Sequence, residues 1–275
     1  MRNLITYIIR YHFSILFLII EVLSIIIVIQ YNQFQNSKFY NFSHAVSGAI
    51  YKKTYNIKEY MNLRPINNEL LAENERLKNE LELKKTINLN VTDSLIDTTV
   101  IPQYKYIQAK VVNNSTNKRF NYITINKGSN HEIEPEMAVV SNSKLVGVIN
   151  NVSNKYASVI SILNPKLRIS AKIKKNEYFG SLYWEGKNVS TCVLSEIPHH
   201  VEIEKGDTII TSGHSSIFPE GILIGFVSDY EIKEGNFFHI KVKLAHDLKS
   251  ITNVMVIKNY NKEEQKKLES YNYND

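Results

Sequence analysis

The sequence predicts a mainly β protein, with an N-terminal transmembrane helix and a short parallel coiled coil followed by two small β-barrel-like domains. Three observations predict it. Phe13 to Ile29 is an apolar run interrupted by one charge, Glu21. Leucines recur every seven residues at Leu63, Leu70 and Leu77. From Tyr104 onward, short runs of alternating apolar and polar residues replace both patterns.

The first run sets the topology. With Tyr31 closing it, the span 13–31 has the length of a bilayer-crossing helix, which takes about 20 apolar residues. Arg2 and Arg10 precede it, and the first positive residue after it is Lys38. Positive charge stays in the cytoplasm, so residues 1–12 are expected inside and the C-terminal bulk outside. The exit, QYNQFQN, is bulky and polar, unlike a signal-peptide cleavage site. Glu21 falls near mid-membrane on the face of Ser14 and Ser24, where a carboxyl marks either an intramembrane contact or a local hydrogen bond to its own turn.

Residues 36–62 carry Phe39, Phe42, Val46, Ile50, Ile57 and Tyr60 at helical spacing, so 36–87 reads as a helical region. Within it, 63–85 reads as a parallel homodimeric coiled coil. Leu63, Leu70 and Leu77 take the d positions, and Asn67, Asn74 and Leu81 the a positions. Glu73 and Glu80 fall where they could bridge to Lys78 and Lys85 of a second copy, and a buried Asn74 would fix two strands in register. Residues 88–103 lose the heptad and read as a linker ending at Pro102.

Between residues 104 and 258 lie twelve strand-like runs, from YIQAKVV to ITNVMVI, with no long apolar helix among them. That excludes βαβ units and predicts a barrel or sandwich. An internal repeat halves the region. Ile133–Ser141 (IEPEMAVVS) matches Ile203–Thr211 (IEKGDTIIT), and each precedes a similar strand, LVGVI from Leu145 and LIGFV from Leu223. Two β-domains follow, divided near 165–200 or interleaved. Gly147 and Gly225, inside strands, fit bulges or tight corners. The charged end, 259–275, reads as a disordered tail.

Chemistry-bearing residues are sparse. The net charge is +6 without a basic block, which argues against nucleic acid. The single cysteine, Cys192, has His199 and His200 nearby in sequence but sits in a strand run, as a core thiol would. Ser212 or Ser215, His214 and Asp207 supply the residue types of a hydrolase relay without its strand-to-helix elbow. The His199–His200 pair lacks the spacing of a zinc site, and no phosphate-cradling glycine loop is present. No enzyme activity, cofactor or metal is expected. Phe218 and Pro219, in the turn 212–221, and Trp184, at a strand end, are aromatic-turn features that could contact a partner; the simpler reading has Phe218 plugging its own barrel.

Several phrases resemble one family. INKGSN at 125–130, LVGVINNVSNKYASVISILNP at 145–165 and above all GDTIITSG…FPEGILIGFV at 206–227 are similar to words of the rod shape-determining family MreC. AVSG at 45–48 resembles its Bacteroidetes branch. The family usually has glycine where this chain has Glu132 and Glu136. The turn glycines Gly128, Gly206, Gly213 and Gly221 lie in the matching phrases. The resemblance implies a bitopic inner-membrane scaffold without chemistry of its own, dimeric through its coiled coil, with a periplasmic bulk. It implies as partners a class B penicillin-binding protein, MreD, RodA and the actin-like MreB, in lateral wall peptidoglycan synthesis. The competing reading is a periplasmic adaptor of an efflux or secretion system, which usually carries an antiparallel helical hairpin that this sequence lacks.

Overall fold

A computed structural model describes residues 10–31, 63, 65–87, 102–233 and 236–271, and places the chain in two units, 1–69 and 70–275. In the first unit the helix α1 spans His12–Tyr31, with Glu21 exposed on it. Its described side chains end at Ile27, and among the described residues no helix is long and apolar enough to cross a membrane. Most of the expected inner N-terminus, the helical pattern over 36–62, the AVSG phrase and nearly all of the 88–103 linker lie outside the described residues.

Residues 65–87 form the helix α2. After it, each of the twelve period-two runs is a strand: β1 Tyr104–Asn114, β2 Tyr122–Ile125, β3 Ala138–Ser141, β4 Lys144–Val152, β5 Ala157–Ser161, β6 Ile169–Ile173, β7 Phe179–Tyr183, β8 Thr191–Pro198, β9 Thr208–Thr211, β10 Leu223–Lys233, β11 Phe237–Leu244 and β12 Asn253–Asn259. Their pairing closes two six-stranded rings. One runs β4-β3-β12-β1-β2-β5 and returns to β4; the other runs β11-β8-β7-β6-β9-β10 and returns to β11. The rings are interleaved in sequence, because the last strand, β12, completes the first ring between β1 and β3. A single parallel register pair, Leu223 with Lys144, joins β10 to β4 across the two rings.

Each ring fills itself with alternating side chains. Ile123, Ile125, Val159 and Val256 pack in the first, and Leu182, Leu194, Ile209 and Ile240 in the second, all fully buried. β4 is buried continuously from Leu145 to Ile149, as a strand covered on both faces should be.

The repeat found in the sequence occupies the same place in both rings: β3–β4 and β9–β10. Gly147 and Gly225 lie where the rings close, opposite Ser161 on β5 and Leu244 on β11. A Cβ at Gly147 would fall 2.0 Å from the Ile160 carbonyl oxygen, and one at Gly225 would fall 2.1 Å from that of Lys243. Only glycine admits that backbone approach. Of the turn glycines, Gly128 lies equally close to the Ser153 carbonyl, while Gly206, Gly213 and Gly221 have positive φ.

Glu132 and Glu136, which stand where the resembled family has glycine, keep the left-handed backbone, with φ of 60° and 62°. Such conformations cost a non-glycine residue about 1 kcal/mol or more. Ion pairs accompany both. Lys105 reaches Glu132 at 2.7 Å, and Lys262 and Lys266 converge on Glu136. The last two lie on α3, Lys262–Tyr271, which corrects the expectation of a disordered tail. Its first turn carries Glu263 and Glu264, which suit a helix N-terminus. Lys262 also donates to the Pro135 carbonyl at 3.0 Å, so the helix is tied to the 133–136 turn.

Two outcomes follow. Gly147→Ala should lower the unfolding free energy by about 3 kcal/mol in urea melts, because neither backbone can retreat without opening the ring; an unchanged midpoint contradicts the close-approach account. The Lys266 hydrogen bond, reinforced by Lys262, holds the Glu136 carboxyl below its ordinary pKa. A depressed carboxyl contributes stability at neutral pH and loses it as the pH falls through the folded value. Protection of the 262–271 amides, taken relative to the intrinsic exchange rate at each pH, should therefore fall on acidification below about pH 4.5, and Glu136→Gln should produce the same loss of protection at neutral pH.

Candidate interaction site

Helix α2 has two working faces. Leu71, Glu75, Lys78, Asn79, Glu82 and Thr86 recur at three and four residues and are half-buried or buried against the first ring. Asn79 is the joint. Its Oδ1 accepts the Tyr106 N–H at 2.8 Å, and its Nδ2 donates to the Tyr106 carbonyl at 3.1 Å. One side chain thus gives the outer edge of β1 the donor and acceptor that a neighbouring strand would offer. Lys78 reinforces it, with Nζ 5.1 Å from the Tyr106 ring centroid and 3.2 Å from Ser143 Oγ. Burial lowers the Lys78 pKa and pushes the Tyr106 phenol up to about 12.

The other face carries the predicted stripe. Leu63, Leu70, Leu77 and Leu81 are each about half exposed, with Asn67 and Asn74 beside them. At about 100° per residue, the stripe lies some 120° around the helix from the docked face. Leu70, Leu77 and Leu81 therefore do not compete with the barrel for the same surface, while Asn74 lines the cleft between α2 and the first ring with Leu71, Lys78 and Met255. Asn74 donates to the Leu70 carbonyl of its own helix at 2.9 Å. Glu73 and Glu80, expected to reach a second chain, both grip Arg76 at 2.6 Å, and Lys85 pairs with Glu82 at 2.8 Å. A spacing of three or four within one helix supplies those partners without a second chain.

The aromatic residues expected as partner contacts are turned inward. Trp184 is 3% exposed and donates its indole N–H to the Asn188 carbonyl at 2.7 Å. Phe218 is 4% exposed, and Pro219 is buried with its carbonyl accepting from Thr211 Oγ1 at 2.6 Å. The cause is the turn itself: positive φ at Gly213 and Gly221 folds 212–221 back over its ring. Phe218 fills the core, as the simpler reading had it.

The β10–β11 hairpin carries one group of exposed aromatics, Phe226, Tyr230 and Phe237, with Ile232 beside them; Phe120, Tyr156, Tyr178, Phe179, Tyr260 and Tyr271 are exposed elsewhere. Ile232 stands opposite Phe238, whose ring meets Tyr230 edge-on at 5.6 Å. The signal in the sequence is the recurrence of Phe226, Tyr230 and Ile232 at alternate positions of one strand, interleaved with Val227, Asp229 and Glu231.

The hydrolase-like residue types are not assembled. Cys192 is 1% exposed, and burial pushes its thiol up to about 12, so almost no thiolate forms near neutrality. Ser212 Oγ lies 2.7 Å from Ser170 Oγ and accepts the His214 backbone N–H at 3.1 Å. The His214 ring packs edge-on against Phe179 instead, and Asp207 accepts the Glu204 N–H at 2.9 Å. His199 and His200 are exposed, with the His200 ring edge-on to Tyr178. Among the described residues no group of three or more His, Cys, Asp or Glu could hold a metal ion.

Comparison with known proteins adds the following. The family model described as rod shape-determining protein MreC, barrel core, matches residues 111–258, from within β1 to the end of β12. The chain is 29% identical over 221 residues to the cell shape-determining protein MreC of Listeria monocytogenes, covering 78% of this chain and 73% of that protein. It is 31% identical over 207 residues to the MreC of Bacillus subtilis, covering 67% and 71%. The solved structure of Listeria MreC superposes with a TM-score of 0.55 at 29% identity, covering 70% of this chain and 93% of that one.

A thiol reagent at pH 8 should label native Cys192 at least a hundredfold more slowly than the urea-unfolded chain, since both burial and protonation protect it. Labelling at the unfolded rate would contradict the buried, neutral thiol.

Proposed function

The chain belongs to the MreC family of rod shape-determining proteins, and from that premise we propose that it is a non-catalytic, membrane-held scaffold of the cell-wall elongation machinery. Helix α1 is the anchor: its backbone runs twenty residues to Tyr31, about 30 Å of rise, and from Phe13 to Ile29 its sequence carries one charge, Glu21, and two serines among apolar residues. The N-terminus lies in the cytoplasm and the two rings in the periplasm. Two chains pair in parallel along Leu63, Leu70, Leu77 and Leu81. Anchoring in one membrane raises their effective concentration enough for a short seam to hold.

The observation that carries this reading is the two-faced helix α2, docked on the first ring by Asn79 while its leucine stripe stays exposed. Pairing through such a helix fixes where the rings stand. The rings then present the β10–β11 aromatics to a class B penicillin-binding protein, with MreD, RodA and MreB as further members of the assembly. Such a scaffold acts by binding the active conformation of the synthase better than the inactive one, which shifts its population. The adaptor reading loses its support, because membership of this family accounts for the same helix-then-barrel order.

Leu70→Asp with Leu77→Asp should convert the detergent-solubilised full chain from dimer to monomer in sedimentation, with its circular dichroism unchanged; a surviving dimer would mean the stripe is not the seam. Depletion in the native host should round the cells and abolish side-wall synthesis, and a Cys192→Ala copy should restore both. Depleted cells that keep their shape and side-wall incorporation would sink the scaffold reading.

A further inference from the structure

Four cations lie on two connections that pack together, one within the first ring and one leading from it to the second; Arg119 and Lys166 meet over Phe120, and Arg168 turns to β7. Lys118 and Arg119 ride on the β1–β2 connection, and Lys166 and Arg168 on the connection from β5 to β6. All four are exposed. The loops are locked to each other by two fully buried asparagines. Asn121 Nδ2 donates to the Leu163 carbonyl at 2.7 Å, and Asn164 Nδ2 donates to the Asn121 carbonyl at 3.1 Å. Each asparagine then uses its Oδ1 to hold its own loop: Asn121 accepts the Lys118 N–H at 3.0 Å, and Asn164 accepts the Lys166 N–H at 3.1 Å. Buried amides satisfied at both ends are costly to disturb, so the loops form a rigid platform.

One aromatic on the first loop and one at the end of β7 set the cations in place. Lys166 Nζ and the Arg119 guanidinium lie 5.0 and 5.4 Å from the centroid of Phe120. Arg168 lies 4.7 Å from the centroid of Tyr183 and reaches Ser181 Oγ at 3.4 Å. Among the described residues none of the four has a carboxylate partner. Elsewhere in this unit Lys105, Lys172, Lys175, Lys205, Lys258 and Lys262 each have one; Lys155 and Lys243 also lack one but lie on the β4–β5 turn and on β11. An ordered group of cations without its own acids is complementary to an external anion.

We propose that the 118–120 and 166–168 loops form a docking surface for an acidic segment of a partner protein. The spread of the cations over two loops suits several carboxylates along an extended chain better than a single small anion, and the two guanidinium forks suit carboxylate oxygens. A bilayer fits less well: Phe120 is exposed, but Lys166 and Arg119 lie over its ring, and no second exposed large apolar side chain stands on 115–121 or 162–168 to make a wedge for lipid. The surface uses none of the residues of the leucine stripe or of the β10–β11 hairpin, so its failure would leave the scaffold reading standing.

The test is anisotropy of a fluorescein-labelled hexaglutamate peptide titrated with the full chain in neutral detergent micelles at low ionic strength. Arg119→Glu with Lys166→Glu should weaken binding about tenfold or more, and the Gln pair should fall between. Lys155→Glu with Lys243→Glu, the same change in net charge on other exposed positions, should leave binding within about twofold. Thermal melts of each variant confirm that it is folded. Equal loss in both charge-reversed pairs, or no binding by the unmodified chain, overturns the proposal. So does loss of peptide binding accompanied by patch-dependent retention on phosphatidylglycerol nanodiscs or by inorganic phosphate, which would assign the surface to a phosphate ligand.

Discussion

Two backbone contacts hold this architecture shut. At Gly147 and again at Gly225, a strand passes so close to its neighbour that a single carbon atom could not stand between them. Both contacts lie on the hairpins that turn an open ribbon into a ring, β4–β5 and β10–β11. Closing each ring pairs most of its strand edges, and the stretch of β1 left over at Tyr106 is met by Asn79, which is how a protein made of short strands escapes pairing with other chains. The same approach recurs at the same point of an internal repeat, so the sequence similarity between the halves reflects a shared solution to closure.

What is built on the rings depends on that closure. The outer edge of β1 is the place where ring one offers unpaired backbone groups to α2, and Asn79 takes up both of them at Tyr106. That joint ties to the first ring a helix whose Leu70, Leu77 and Leu81 stay exposed. The loop platform bearing Lys118, Arg119, Lys166 and Arg168 is stiff for a related reason: its asparagines are buried in the end of the same ring.

The strands were legible because each carries its own period-two pattern, and short runs need no distant information to be recognised. The ring order was not, since β12 joins β1 across about 150 residues. The repeat pointed to the closing hairpins because both copies kept a glycine at the crowded position. The misreadings have a common cause. Phe218, Pro219 and Trp184 sit among turn-forming residues, a pattern that marks a bend without saying whether it points in or out. The helix α3 lacks an apolar stripe and depends on Glu136, some 130 residues earlier. The four cations of the loop platform were scattered in the sequence, so only the folded chain shows them as a group.

The place of β12 has a consequence for synthesis. The six strands of the second ring are contiguous, from Ile169 to Leu244, whereas the first ring waits for Asn253–Asn259. In order of synthesis, the half made later is therefore the half whose strands are complete earlier. Until the final strand emerges, the nascent chain carries β1 and β3 with bare flanks, and a message cut short before Asn253 yields a product whose second ring can close but whose first stays permanently unzipped.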